Sequence, residues 1–377
     1  MTTLAPDDAA PSVPSVSVVI PARDAAATLP ATLGSLRAQS CAAWEAIVVN
    51  DGSRDATGAL AARAAAEDRR VRLLSRRDAG GASDARNAGL AAAAAEWVLF
   101  LDADDVLEPP ARLRLLAALD DDPVADAAPG GWWWTDPAGR LLAEGHADPL
   151  PDLFPALARY CVFATTSVCL VRAALVREVG GFDRALRTSE DFDLWQRVAR
   201  AGARFAAVPE TVVRYRLRPG ASWFDAPRFL RDGLEVIARG HAPDPRVPHP
   251  APEHAAGAPP DGRASAAYLF ATWAAAVALA HDGDAAPLLD LVPDAGCPDL
   301  DAEAVATALA FALPLVARRP ASALPELHAA SAARRRAFLD ALERRAGARG
   351  LAARAEALLD LAVAAAAATA GPATVMP

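Results

Sequence analysis

Short apolar runs alternate with segments of helical periodicity over the first hundred residues, and this alternation constrains the fold more than any other feature. The run VSVVI at 16–20 and the later apolar runs each stop at polar residues, which is typical of buried parallel strands. The predicted strands lie at 16–20, 46–49, 71–74 and 97–101, and the predicted helices at 28–38, 55–66 and 83–95. Strands and helices joined by short links predict a doubly wound α/β sheet with right-handed crossovers.

Polar clusters follow three of these predicted strands. They occupy residues 21–24, 50–55 and 102–105. In doubly wound sheets, ligands bind at the carboxyl ends of the strands. We therefore expect the three clusters to meet at one edge of the sheet and to form a binding site there.

The pattern changes in the second third of the chain. Residues 136–139 (DPAG) predict a hairpin turn, 167–172 a strand and 190–201 a helix. Residues 241–262 are Pro-rich and predict an extended or irregular linker with solvated histidines. An Ala/Leu/Arg-rich region of helical periodicity follows. The predicted organisation is a disordered N-terminus at 1–14, a domain at 15–240 with halves at 15–122 and 123–240, the linker at 241–262 and an α-helical region at 263–377.

Charge and cysteine usage exclude several classes of protein. The chain has 38 basic and 47 acidic residues and a formal net charge of −9, so a nucleic-acid partner is not expected. The four cysteines form no CxxC pair and have no histidine at zinc-ligand spacing, which indicates buried thiols in a reducing compartment. They are Cys41, Cys161, Cys169 and Cys297.

No segment has the composition of a targeting or membrane-spanning sequence. The first 15 residues are acidic and Pro-rich, without the basic and apolar regions of a signal peptide. The most apolar late stretch, 351–371, is mostly alanine and contains Arg354, Glu356 and Asp360, which predicts a soluble helix. We therefore expect a cytoplasmic protein without a transmembrane segment, with peripheral attachment to the inner membrane face left open.

The common nucleotide-binding motifs are missing. The first strand is followed by Pro21-Ala22-Arg23-Asp24 rather than by GxGxxG, and a chain without lysine has no P-loop. Gly80-Gly81-Ala82-Ser83 precedes a predicted helix. It either offers backbone N–H groups to a phosphate or forms a plain loop-to-helix turn.

Carboxylates stand at several strand and helix ends. Asp102 and Asp104 are two residues apart after a strand, so they point the same way. They suit Mg²⁺ or Mn²⁺ bound together with substrate phosphates, or else form a solvated acidic turn that caps the next helix. Asp51 either accepts a hydrogen bond from a nucleotide base or a ribose hydroxyl, or belongs to an Asp-Gly turn. Glu190 and Asp191 open a helix, either as caps or with one of them as a general base.

Seven segments occur in an order that identifies a family. They are SVVIPARDAAATL at 17–29, VVNDGSRDAT at 48–57, GASDARNAGL at 81–90, FLDADD at 100–105, VGGFD at 179–183, SEDFDLWQRV at 189–198 and YRLRPGAS at 215–222. Together they resemble the inverting family 2 nucleotide-sugar glycosyltransferases of the GT-A fold. The resemblance implies a Rossmann-like doubly wound mixed sheet with a nucleotide-binding half at 15–122 and an acceptor half at 123–240, followed by a C-terminal α-helical region. The linker and the helical region lie outside it.

The resemblance also implies roles for single residues. Asp51 matches a position that contacts the base, and Arg86 matches an arginine near the diphosphate. Asp102 and Asp104 match the metal-binding DxD motif, Asp102 toward the ribose and Asp104 toward the metal, and Asp191 matches the catalytic base. The implied nucleotide-sugar-binding residues are Pro21, Arg23, Asp51, Arg86 and Asp102.

Three residues are candidates for the acceptor side of the site: Glu190, Trp133 and Trp195. Trp133 belongs to a run of three tryptophans before the predicted hairpin turn, where a sugar ring can stack on an aromatic face. Because neighbouring strand residues alternate between faces, core packing is the alternative for part of this run. Trp195 and Arg197 match the helix behind the base, where packing is again the alternative.

These features predict an inverting glycosyltransferase that uses a divalent metal, Mg²⁺ or Mn²⁺. It would move a sugar from a nucleoside-diphosphate sugar to a hydroxyl of a glycan, a lipid-linked or a small-molecule acceptor. The family resemblance implies that the donor is UDP-linked. The alternatives are a non-catalytic nucleotide-sugar-binding or scaffold protein and a sugar nucleotidyltransferase, which would carry a basic Gly-rich loop after the first strand. The region at 263–377 serves self-association, partner or membrane-surface binding, or forms a passive cap.

Overall fold

The computed structural model of the chain describes residues 14–40, 42–147, 149–150 and 152–369. Cys41 and the segment before residue 14, for which the sequence predicts disorder, lie outside the described residues.

The first part of the chain alternates strands and helices, as the sequence predicts. In chain order they are β1 (Val16–Ala22), α1 (Leu29–Arg37), β2 (Trp44–Asp51), α2 (Thr57–Glu67), β3 (Val71–Arg76), α3 (Ala82–Ala92) and β4 (Trp97–Phe100). The four strands are parallel in the order β3-β2-β1-β4. Helices cover both faces of such a sheet, and the β-branched side chains of β1 are accordingly fully buried.

The second part adds antiparallel strands, so the sheet is mixed. Its elements are β5 (Val106–Leu107), α4 (Ala111–Asp121), β6 (Ala127–Thr135), β7 (Leu141–Gly145), α5 (Phe154–Leu157), β8 (Cys169–Arg172), α6 (Ala173–Glu178), α7 (Glu190–Arg200), β9 (Val208–Arg216) and α8 (Ala226–Gly240). The full strand order is β3-β2-β1-β4-β8-β6-β9-β5, with β7 paired to β6. The predicted doubly wound mixed sheet is confirmed.

Strand β6 joins the two halves of this sheet. Its first residues pair with β8, and its later residues pair with β7 on one side and β9 on the other. The predicted hairpin turn links β6 to β7, where the Asp136 carboxylate accepts from the backbone N–H groups of Ala138 and Arg140, both at 2.9 Å. Gly139 adopts a φ of +84°, which the turn requires and which glycine adopts without strain.

The C-terminal region is helical, as predicted. Its helices are α9 (Arg263–Ala280), α10 (Ala302–Val316), α11 (Leu324–Ala346) and α12 (Leu351–Thr369). Helix α9 lies against the second part of the chain, since the Phe270 ring stacks on Phe192 of α7 with centroids 6.3 Å apart. Buried side chains of both parts belong to one continuous core.

The Pro-rich segment at 241–262 is irregular, as predicted, with two 3-10 turns at Pro252–His254 and Pro260–Gly262. It lies against α7, because Arg200 donates to the carbonyl of His254 at 3.1 Å. The expectation that its histidines are solvated is wrong for His254. That side chain is buried beside the Phe154 ring, at 4.6 Å between centroids, and lies 3.1 Å from the Asp152 carboxylate.

Within the described ranges, one helical stretch, Pro260–Ala280, is long and apolar enough to cross a membrane. In its most apolar window 61% is buried inside the molecule, as expected of a core helix. Helices α10 and α11 pass the same test only as a pair bent by 105°. The cytoplasmic location and the attachment to a membrane face stay predictions.

Candidate active site

Three aspartates lie where the polypeptide leaves β4, at the carboxyl edge of the parallel strands. The deepest of them, Asp105, is fully buried and accepts from the hydroxyl of Ser167 at 2.7 Å and of Thr165 at 3.2 Å. The backbone N–H of Arg216 also donates to it at 3.2 Å. Asp105 therefore ties the end of β4 to the start of β8 and the end of β9, and the alternative of a solvated, helix-capping turn does not describe this segment.

The carboxylate of Asp104 is paired with Arg218, which follows β9. Burial and the neighbouring charge of Asp102 raise the pKa of Asp104 in spite of that arginine. Burial, Asp104 and Asp102 likewise raise the pKa of Asp105 well above its ordinary value. The cluster thus carries more negative charge than its surroundings compensate. Its hard oxygen donors are those that Mg²⁺ and Mn²⁺ prefer, so these residues fit a divalent ion.

Arg86 of α3 is the central cation of the site. Its Nη1 donates to Glu190 at 2.7 Å and its Nη2 donates to Asp102 at 2.6 Å. The residue is buried, which alone would lower its pKa, but the charges of Asp102 and Glu190 outweigh burial and raise it. One guanidinium therefore spans the distance between the end of β4 and the beginning of α7.

Asp191 lies in the first turn of α7, half-buried, directly after the glutamate that Arg86 holds. Burial and the charge of Glu190 raise the pKa of Asp191 to about 7, although Arg86 and the backbone N–H of Phe192 favour its charged form. A carboxylate with a pKa near the working pH combines a useful deprotonated fraction with good proton affinity. Its environment therefore suits a general base.

Asp51 ends β2 and is almost fully buried. It accepts from the backbone N–H groups of Gly80 at 3.1 Å and Gly81 at 2.8 Å, and it lies 3.1 Å from Arg76 Nε. The amide groups of the Gly-rich loop are thus directed at a carboxylate. Pro21 of β1 lies opposite the neighbouring strand residue Val49, so it shares this edge of the sheet.

Beyond Asp191, α7 is anchored by buried side chains. Trp195 is 0% exposed, and its ring meets Phe163 edge-on at 5.5 Å. It has no surface for an acceptor, so its assignment to the acceptor side is wrong and the packing alternative holds. Arg197 is equally buried, pairs with Asp193 at 2.7 Å and donates to the carbonyl of Gly181 at 2.7 Å.

Two further predicted residues are not brought to this cluster. Arg23 is exposed in the loop after β1, and no hydrogen bond or ion pair in the described part of the chain joins its side chain to the aspartates. The guanidinium of Arg214 lies 5.5 Å from the ring of Trp133. Because successive side chains of a strand point to opposite faces, Trp133 lies on the sheet face opposite to that of Trp132 and Trp134.

Sequence reasoning assigned no role to Tyr215 and Arg218, although both stand in the quoted segment YRLRPGAS. Burial and the charges of Asp105, Asp104 and Asp102 raise the pKa of Tyr215 well above its ordinary value, so its hydroxyl lies near the carboxylate cluster. The signal in the sequence was the pair Arg216 and Arg218 on either side of Leu217. Cations are needed beside the three aspartates that follow β4.

A mixed sheet with acidic residues at its carboxyl edge and a half-buried carboxylate facing them is the arrangement of a GT-A glycosyltransferase. Residues 17–143 match the family model described as glycosyl transferase family 2, and residues 97–228 match that of glycosyl transferase family group 2. The chain therefore contains a glycosyltransferase family 2 domain.

Individual proteins and solved structures are also similar to this chain. The chain is 34% identical to the succinoglycan biosynthesis protein ExoO of Rhizobium meliloti, over 55% of this chain and 62% of that protein. It is 31% identical to the pre-mycofactocin glycosyltransferase of Mycobacterium tuberculosis, over 63% of this chain and 50% of that protein. The chain thus spans less than two thirds of these relatives. The crystal structure of S. aureus TarS 1–349 in complex with UDP superposes with a TM-score of 0.51 at 17% identity, covering 88% of this chain and 90% of that one, which shows the fold.

Proposed function

We propose that the protein transfers a sugar from a nucleoside-diphosphate sugar to an acceptor hydroxyl with inversion at the anomeric carbon. The observation that carries this proposal is the position of Arg86, which contacts both Asp102 at the end of β4 and Glu190 beside Asp191. A donor held at the strand ends would therefore have its sugar close to a half-buried carboxylate. The relatives named as glycosyltransferases support sugar transfer, and the UDP bound to TarS supports a UDP-linked donor.

Donor binding in this proposal uses the carboxyl edge of the sheet. Asp51 would contact the base, Asp102 the ribose, and Arg86 the diphosphate. Asp104 would hold Mg²⁺ or Mn²⁺ together with diphosphate oxygens, after Arg218 has released it. When bound, the ion would offset the negative charge that grows on the departing diphosphate.

The proposed chemistry is a single displacement. Asp191 accepts the proton of an acceptor hydroxyl as the oxygen attacks the anomeric carbon from the face opposite the diphosphate. The bond from carbon to the diphosphate oxygen breaks, and the nucleoside diphosphate leaves with the bonding electrons. Arg86 keeps Glu190 in place, so that its negative charge sustains the basicity of Asp191.

The first test is calorimetry of the full chain against nucleoside diphosphates, with Mn²⁺ or with a chelator. One diphosphate should bind in the presence of Mn²⁺ and lose most of its affinity in the chelator. Binding of none of them would contradict the proposal. Binding without any effect of the chelator would contradict the proposed metal dependence of donor binding.

Replacing Asp104 should remove this metal dependence. The Asp104→Asn variant keeps the shape of the side chain but loses a charged ligand, so we expect donor affinity with Mn²⁺ to fall by at least about 10–100-fold, the loss that mutation of a residue supporting a metal ligand already causes. Asp120→Asn, on the exposed side of α4, is the matched control and should bind as the unchanged protein does. Equal Mn²⁺ dependence in both variants would exclude Asp104 as a ligand.

The reaction should depend on pH through Asp191. Its pKa in the protein without bound donor is about 7 and only its deprotonated form accepts a proton, so kcat/KM should rise with pH up to about 7 and level off above it. In Glu190→Gln, the removal of the charge that raises this pKa should move the rising limb to lower pH. The measurement is nucleoside-diphosphate release at donor concentrations below KM across pH, with Glu178→Gln as the exposed control. A limb that stays in place in Glu190→Gln would refute this coupling.

A further inference from the structure

An apolar cavity of about 450 Å³ lies between the β6–β7 hairpin and the C-terminal helices. Leu142 and Ala143 of β7 form one wall, and side chains of α10 and α12 form the other. The polar side chains among the described lining residues are Glu303, Thr307 and Arg319. A sugar ring placed among the remaining apolar side chains would leave its hydroxyl groups without partners, which is costly. The lining suits hydrocarbon.

The cavity lining follows α10. Its residues on that helix, from Glu303 through Ala306 and Ala310 to Pro314, recur at helical spacing and form one stripe. Eleven residues of helix rise correspond to about 17 Å. A mostly apolar lining of this length fits an extended hydrocarbon chain better than a compact group.

Neighbouring side chains connect the cavity with the candidate active site. The ring of Phe311, which lines the cavity, lies edge-on to Trp134 at 5.4 Å. Trp134 pairs with Ala143 of β7 and with Tyr215 of β9, so the three side chains share one face of the sheet. The backbone N–H of Arg216, the residue after Tyr215, donates to Asp105 at 3.2 Å. A continuous row of side chains therefore runs from the carboxylates to the cavity.

We propose that this cavity receives the hydrocarbon tail of a lipid-linked acceptor, whose head group extends along Trp134 and Tyr215 to the carboxylate cluster. The inference rests on the proposed function and selects one class among its acceptors. It also gives the C-terminal helical region a part in substrate binding, because α10 and α12 supply most of the cavity wall.

Alkyl glucosides below their micelle concentrations provide the probe. Binding of methyl, octyl and decyl β-glucoside to the full chain is followed by calorimetry. Each buried methylene contributes about 0.8 kcal/mol, which is about a fourfold gain in affinity, so affinity should rise steeply with chain length. Affinity that does not depend on chain length would overturn the proposal.

Two variants of α10 locate the binding. Ala310 lines the cavity and is half-buried, so Ala310→Leu should fill the space and weaken decyl glucoside binding at least tenfold. Ala304→Leu is the matched control, also half-buried on α10 but outside the lining, and should bind as the unchanged protein does. Equal affinities in the two variants would place the tail elsewhere and refute the inference.

Donor binding on the same samples separates the two proposals. Nucleoside diphosphate with Mn²⁺ should bind equally to both variants, because neither residue lies at the strand ends. Donor binding without a chain-length effect would overturn only the lipid-linked acceptor. A chain-length effect without donor binding would overturn the proposed transferase activity, and with it the acceptor role of the cavity.

Discussion

Replacing Asp191 by asparagine should reduce sugar transfer by about 10²–10⁴-fold, the range that a positioned general base contributes. The amide has nearly the shape of the carboxylate but does not accept the hydroxyl proton. Because the Asp191 carboxylate accepts from the backbone N–H of Phe192 in its own helix, the fold of the site should persist in the variant. The measurement is the rate of nucleoside-diphosphate release with saturating donor and acceptor.

Donor affinity distinguishes loss of the base from loss of the site. Asp191→Asn should bind nucleoside diphosphate and Mn²⁺ within a few-fold of the unchanged chain, so that kcat falls and the donor dissociation constant does not. Glu178→Gln, on the exposed end of α6, should leave both quantities unchanged. Transfer at the original rate in Asp191→Asn would remove this residue from the mechanism.

Replacing Arg197 by methionine should destabilise the protein by about 3 kcal/mol, the lower end of the range for breaking a buried ion pair. Arg197 and Asp193 are 2% and 0% exposed, and the arginine also donates to the carbonyls of Val179 and Gly181, which would be left without that donor. The loss stays at the lower end because Arg239 and Arg246 still pair with Asp193.

Chemical denaturation measures this effect as a lower midpoint with an unchanged denaturant slope. The control is Arg63→Met, whose pair with Glu67 on α2 is exposed and should shift the midpoint little. Because α7 carries Asp191, activity per folded molecule reports whether the helix keeps its position. A midpoint as high as that of the control would mean that the Arg197 pair contributes little net stability.

The fold was predictable because it depends on local patterns. The apolar run VSVVI and the polar residues that follow it mark a buried strand and the edge at which it ends, wherever the rest of the chain lies. The same holds for α7, whose acidic first turn and later apolar residues are legible in SEDFDLWQRV. These patterns place Asp102 and the pair Glu190-Asp191 at element boundaries, and the family resemblance then selects Asp102 and Asp191 among the carboxylates there.

What the sequence did not reveal depends on partners that are distant along the chain. Trp195 packs against Phe163 instead of lining the site, and His254 is buried against Phe154, a hundred residues earlier. Asp104 meets Arg218 across 114 positions. Periodicity shows that a side chain has a buried or an exposed face, but the element that covers that face is set by tertiary packing.

The contacts between the family 2 domain and the C-terminal helices bear on how such proteins diversify. Phe192 of α7 is buried against Phe270 of α9, and the half-buried Trp134 of β6 packs edge-on to Phe311 of α10, so each part contributes packing contacts to the other. A helical region taken from another protein would leave holes or clashes at these positions unless both sides changed together. Substitutions in the catalytic domain and in its helices should accordingly co-vary among relatives, and the helices should be inherited with the domain they cover rather than exchanged as a module.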